Sequence, residues 1–223
     1  MNLWRWAALS AVAVIAIALG FLPIPGMDAC STAREPTLAF ELVKTPAEAA
    51  ALFPDHCRSA HMSAQRTALH LDIWAFVPAY SILLILSFLA LRREGGALAA
   101  RAASLGMVTL ALAALFDWFE NYQLLRILDD FPGSQATIDL LIPAPRAKFI
   151  LLGLAVAGVG ALHFARGLRL GRWRMLAGGV TALGGLVSAG GVLVNRDLIL
   201  PAAAAAWLAL MAATFILAAR KPA

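Results

Sequence analysis

Six long apolar runs occupy most of this 223-residue chain. A helix needs about 20 apolar residues to cross the roughly 30 Å hydrocarbon core of a bilayer. The chain is 61% hydrophobic and only 14% charged, which argues against both a soluble domain and a disordered chain. The sequence therefore predicts an all-α, polytopic membrane helical bundle that forms a single domain over residues 1–223. Its spans are predicted at about 4–22, 70–92, 102–127, 147–166, 175–195 and 199–219.

The basic residues are divided unevenly between the two sides of this bundle. Ten Lys and Arg fall on one side, whereas the short loops of the other side carry four. Because Lys and Arg are in excess in cytoplasmic segments, both termini are predicted to be cytoplasmic. Residues 23–69 then form an extracytoplasmic loop of about 45 residues. The net charge of +5 thus indicates topology rather than nucleic-acid binding. A second interpretation of the four arginines over 166–174 is that they bind anionic lipid headgroups.

The first apolar run has two interpretations. A basic residue before an apolar stretch is typical of a secretory signal peptide. No small-x-small cleavage site follows, since the next residues are PIPGMDAC, and the run is long for a signal peptide. We therefore expect a retained helix over 4–22.

The long loop contains local folding signals. Apolar residues alternate over 37–45, which favours a short strand. Thr45 is a candidate N-cap, with Pro46 at the first helical position and Glu48 completing a capping box. A further helical stretch over 56–69 is predicted to continue into the second span.

Both cysteines of the chain, Cys30 and Cys57, lie in this loop. An oxidising compartment permits a disulfide between them. It would close a loop of about 28 residues and stabilise the fold by roughly 3–4 kcal/mol in the chain-entropy model. The alternative is a pair of thiols that do not meet.

The third span carries polar residues where they are costly. Asp117, Glu120 and Asn121 lie three and four residues apart, so they share one helical face. Asp117 is predicted roughly 7 Å below the outer edge of the hydrocarbon. An ionisable side chain in a span costs about 2.5–3.5 kcal/mol or more, so these residues are candidates for function.

Further polar residues are predicted at the outer ends of neighbouring spans. Asp72 and Tyr80 lie on nearly one face of the second span, and Lys148 begins the fourth. We therefore predict an outward-opening polar cavity with Asp117 and Glu120 as acid–base residues. Its ligand-binding residues are Asp72, Tyr80, Asn121 and Lys148. The alternative is a buried polar network that only orients the helices.

Metal-binding and nucleophile motifs are weak in this sequence. Residues 55–72 contain potential ligands, but their spacing matches no familiar metal motif. His56 and His61 would diverge by about 140° on a helix, so we expect both at the surface. No C-x-x-C pair and no G-x-S-x-G elbow is present, and we predict neither a metal nor a cofactor.

Four segments in order carry a resemblance to known proteins: FELVKTPAEAAALF, LHLDIWAFVPAYS, ALFDWFENYQLLRIL and APRAKF. Over residues 38–155 the chain resembles bacterial multi-pass membrane proteins of unassigned function, including their Asp-x-x-Glu-Asn helix. It is also faintly similar to the emopamil-binding, sterol-isomerase-like membrane fold, which places acids and an Asn inside a helical bundle. The histidine partners of that fold are absent from these spans.

Three functions follow from these observations. The first is binding or acid–base modification of a lipid-like or amphiphilic small molecule in the bacterial inner membrane, with membrane lipids as partners. The second is a structural or assembly subunit that docks a membrane protein through residues 23–69 or the glycine-rich fifth span. The third is a proton-coupled transporter, against which the dry inner half of the spans argues. We favour the first, and the sequence leaves open whether the protein is an enzyme.

Overall fold

The computed structural model describes residues 2–27 and 36–220. This part of the chain is helical and contains no β-strand, which confirms the predicted all-α class. A π-helical segment, Asp72–Phe76, joins α4 to α5, and a 3-10 turn, Arg196–Leu198, precedes α10. The α-helices are α1 (Leu3–Gly20), α2 (Pro36–Glu41), α3 (Pro46–Ala51), α4 (Arg58–Leu71), α5 (Val77–Glu94), α6 (Ala97–Asp129), α7 (Gln135–Leu141), α8 (Pro143–Leu170), α9 (Arg172–Val194) and α10 (Ile199–Ala219).

Six helical stretches of the described chain are long and apolar enough to cross a membrane, which confirms the predicted number of spans. The protein is therefore a multi-pass membrane protein. Each stretch begins before its predicted span, because the residues that precede the apolar run continue the same hydrogen-bond ladder. The stretches are Leu3–Gly20, Arg58–Glu94, Ala97–Asp129, Gln135–Leu170, Arg172–Val194 and Arg196–Ala219.

The segment 23–69, predicted as a loop, is largely helical where it is described. The strand predicted over 37–45 is wrong, because Pro36–Glu41 forms α2. A lone strand leaves its backbone groups unpaired, whereas a helix bonds its own and here buries Phe40. The predicted continuous helix into the second span is confirmed, since Arg58–Glu94 is one helical stretch.

The predicted start of α3 is confirmed in detail. The Thr45 hydroxyl accepts a hydrogen bond from the Glu48 backbone N–H at 3.1 Å. The Glu48 carboxylate in turn accepts from the backbone N–H of Lys44 at 2.7 Å, one residue before the cap. These two reciprocal bonds satisfy backbone donors that a helix start would otherwise leave open.

The chain divides into two compact units. The first comprises Met1–Val14, Ala79–Ala114 and Lys148–Ala223, and the second comprises Ile15–Pro78 and Leu115–Ala147. The single membrane domain stays a prediction.

The first unit is packed through glycines. A Cβ added to Gly185 would lie 2.6 Å from the carbonyl oxygen of Gly153, and one added to Gly184 would lie 2.7 Å from that of Ala202. A Cβ at Gly167 would collide with the backbone of Met175. The glycines of α9 therefore allow close approach to α8 and α10, as small residues do in membrane bundles.

The second unit has its own apolar core, centred on Phe53. The Phe53 ring packs edge-on against Phe40 at 5.1 Å, His61 at 4.8 Å and Phe131 at 5.3 Å between ring centroids. The surface position expected for His61 is wrong, because this side chain is buried beside Phe53, whereas His56 is exposed as expected. Other buried members of this core are Val43, Ala49, Leu69, Leu124, Ile127, Leu128, Ile138 and Leu141.

Of the two cysteines in the predicted disulfide, the structure describes Cys57, which belongs to the second unit. Cys57 is disulfide-bonded and immediately precedes α4. Cys30, the other cysteine of the sequence, lies outside the described residues. The pairing of these two residues with each other therefore stays a prediction.

Candidate functional site

Four of the six predicted site residues belong to the second unit, and we call them the acid–amide cluster: Asp72, Asp117, Glu120 and Asn121. The Asn121 Nδ2 donates to Asp72 Oδ2 at 2.7 Å and to Asp117 Oδ1 at 3.2 Å. It also lies 3.0 Å from the backbone oxygen of Asp117. One neutral amide thus bridges two carboxyl groups from different spans, Asp72 in the second and Asp117 in the third.

Burial separates this cluster from ordinary surface acids. Glu120 is fully buried, while Asp117 and Asn121 are 4% and 2% exposed. Asp72 is half-buried. Asp117, Glu120 and Asn121 are buried together, whereas their neighbours Trp118 and Tyr122 are exposed. This pattern agrees with the prediction that the three polar residues share one helical face.

A change in helical register precedes Pro78 and positions Asp72. Proline lacks a backbone N–H and cannot continue the hydrogen-bond ladder. The N–H of Val77 bonds the carbonyl of Asp72, five residues back, as in a π-helix. In that register the carbonyl of Ile73 would need the N–H of residue 78, which proline does not have. The indole N–H of Trp118 donates to this carbonyl instead, at 3.2 Å.

This indole bond ties the second and third spans beside the acid–amide cluster. Sequence reasoning did not find this hydrogen bond. The available signal was Pro78, because a proline within a span leaves a carbonyl that another group must satisfy.

Tyr80 and Lys148, the two remaining predicted ligand-binding residues, belong to the first unit. Tyr80 is buried, and its ring lies 6.2 Å from that of Trp207. Lys148 is also buried, with its Nζ 4.6 Å from the centroid of the Phe149 ring. Their predicted role as ligand-binding residues stays a prediction.

The first unit contains a polar cluster that sequence reasoning did not assemble. We call it the arginine cluster: Trp4, Glu94, His163, Arg166 and Arg174. Glu94 accepts from the indole of Trp4 at 2.7 Å and from Arg174 at 2.6 Å. Arg174 also donates to His163 Nδ1 at 3.3 Å. The available signal was Glu94, an acid at the C-terminal end of α5.

The described residues contain no metal cluster, and the second unit has a cleft away from the predicted site residues. Within the described residues, no group of three or more His, Cys, Asp and Glu is placed to hold a metal ion. The second unit has a cleft of about 330 Å³ that includes none of the six predicted site residues. Its lining is Gly20, Pro23, Ile24, Pro25, Ser63, Ala64 and Thr67.

Comparison with known proteins identifies no relative of this chain. No protein-family model, no curated protein and no solved structure matches it.

Proposed function

We propose that this protein is a bacterial inner-membrane protein whose acid–amide cluster binds or modifies a lipid-like or amphiphilic small molecule by acid–base chemistry. The observation that carries the proposal is the Asn121 bridge between Asp72 and Asp117, beside the fully buried Glu120. Ionisable groups inside spans are costly and mark functional sites by default.

The chemistry of the cluster supports proton exchange. The carboxyl groups of Asp72 and Asp117 accept from the same amide nitrogen, so they are close neighbours. In our proposal Asp117 and Glu120 exchange a proton with the ligand. Asp72 and Asn121 hold its polar group.

The surroundings of the cluster argue for an amphiphilic ligand. Asp117, Glu120 and Asn121 lie in α6, whose other side chains include exposed Leu115, Phe116 and Phe119. A ligand that reaches these acids from the bilayer needs a polar group for the carboxyl side chains and an apolar body for the lipid.

Mass spectrometry of co-purified amphiphiles tests this proposal. The full chain would be purified in native-lipid discs as the wild type, Asp117→Asn, Glu120→Gln and the control Asp130→Asn. Asp130 is an exposed acid just after α6, so its substitution makes the same chemical change outside the cluster. We expect one amphiphile enriched over bulk lipid in the wild type and Asp130→Asn, and lost from the two cluster variants.

The unfolding temperature of each variant must be measured in parallel. Loss of the amphiphile from a variant that unfolds like the wild type supports a binding site. Identical amphiphile content in all four proteins overturns the proposal and favours a network that only orients helices.

A further inference from the structure

The arginine cluster has more positive than negative charge in a confined space. The guanidinium of Arg174 lies 2.6 Å from Glu94 Oε2, and Arg166 Nε lies 3.8 Å from the same oxygen. Arg174 is buried, and the side chains of Arg166 and Glu94 are each 27% exposed. Two guanidinium groups therefore converge on a single carboxylate oxygen, which leaves one positive charge uncompensated within the cluster.

Two buried polar atoms of this cluster lack hydrogen-bond partners within the described chain: His163 Nε2 and Arg166 Nε. His163 Nδ1 accepts from Arg174, so in the neutral ring the proton is on Nε2. Both atoms are therefore donors, and they lie three residues apart on one face of α8. Buried donors are almost always satisfied, so the group that completes this site is an acceptor.

The uncompensated charge and the two donors define the chemistry of the missing group. An anionic oxygen accepts from both donors and neutralises the excess charge. A phosphate supplies several such oxygens and is a preferred partner of arginine. We propose that His163, Arg166 and Arg174 form a binding site for a phosphate-bearing ligand, with the headgroup of an anionic lipid as the source.

The place of these residues in the chain favours a lipid source over a free anion. Arg166 lies in the last two turns of α8, and Arg174 in the first turn of α9. Both are therefore at the ends of predicted spans, where headgroups lie. Gly167 keeps α8 and α9 in contact there, since its Cβ would collide with the backbone of Met175.

Ligand titration of the full chain in detergent tests the site. Three probes would be compared by their effect on the unfolding temperature: dioctanoyl phosphatidylglycerol, dioctanoylglycerol and inorganic phosphate. We expect saturable stabilisation by the phospholipid and none by dioctanoylglycerol, which has the same chains without phosphate. Stabilisation by inorganic phosphate at similar concentrations would support the anion site and identify a free anion as its source. Equal stabilisation by the two lipids would overturn the site.

Arg166→Gln supplies the decisive variant, because it removes the incompletely bonded guanidinium and leaves the bonds between Arg174 and Glu94. We expect phosphatidylglycerol to bind it about tenfold more weakly or worse, as for the loss of a hydrogen bond to a charged group. Arg169→Gln is the matched control, an exposed arginine of the same helix, and should bind like the wild type.

If Arg166→Gln fails to fold, Arg166→Lys keeps the charge without the planar fork and should still bind more weakly than the wild type. Wild-type affinity in a folded Arg166 variant would show that water completes the cluster. The residues of this test are distinct from the acid–amide cluster, so its failure leaves the proposed function standing.

Discussion

The acid–amide cluster and the arginine cluster both provide hydrogen-bond donors to carboxyl groups. The donor is neutral in the first cluster and charged in the second. In the first, the neutral Asn121 side chain bridges the carboxyl groups of Asp72 and Asp117. In the second, the charged Arg174 side chain bridges the Glu94 carboxylate and the His163 ring. Asn121 supplies hydrogen bonds without charge, whereas Arg174 supplies both.

This difference indicates different tasks. A charged bridge joins helices firmly, because each of its bonds is charge-assisted. An amide bridge orients two acids without adding a charge of its own. We therefore expect the arginine cluster to contribute more to stability and the acid–amide cluster more to ligand chemistry.

The largest expected effect comes from the charged bridge. Arg174→Met should lower the free energy of unfolding by about 3 kcal/mol, because Glu94 and His163 both lose the hydrogen bonds of a charged donor. Reversible unfolding in mixed micelles measures this loss. Arg172→Met, at an exposed position two residues earlier, is the control and should change stability by no more than about 0.5 kcal/mol. Equal losses of stability in the two variants would contradict the stabilising role of the charged bridge that Arg174 forms.

The neutral bridge should contribute less. Asn121→Leu should lower the free energy of unfolding by about 2 kcal/mol, since it removes the donor shared by two carboxyl groups. Asn121→Asp keeps the shape and also removes the donor, but a protonated carboxyl group can donate again. Its loss of stability should therefore shrink as the pH falls. A loss that stays constant with pH would mean that the bridging hydrogen is unimportant.

The smallest expected effect concerns the support of the acid–amide cluster. Trp118→Phe should cost about 1 kcal/mol, because the Ile73 carbonyl loses the indole N–H that replaces its missing backbone partner. Trp74→Phe is the control, since Trp74 is 78% exposed. Equal losses of stability in the two variants would show that the hydrogen bond from Trp118 to Ile73 does not stabilise the protein.

Several features of the fold could be predicted because they depend on neighbours in the chain. Apolar length predicted six spans, and the three- and four-residue offsets placed Asp117, Glu120 and Asn121 on one face. The capping residues predicted the start of α3. The strand predicted over 37–45 was wrong, since alternation alone does not supply the partner that a strand needs.

The partners of the polar side chains could not be predicted in the same way. Glu94 is 90 residues from Trp4 and 80 from Arg174, so no local pattern connects them. In the sequence, the arginines of this cluster, Arg166 and Arg174, served mainly to predict topology. His61 was expected at the surface because it diverges from His56 on a helix, whereas in space the Phe53 ring packs against it.

The sequence by itself therefore determined the helical membrane fold, the number of spans and the position of the acids on the third span. It did so because hydrogen bonds within a helix and transfer into lipid depend on composition and local spacing. Only the tertiary structure decided which polar groups meet. In the tertiary structure Asn121 bridges two carboxyl groups, and Asp72 lies in a π-helical segment before Pro78. The arginine cluster is formed by side chains from four helices. Such choices arise from packing between segments distant in the chain, where glycines set how closely the helices approach.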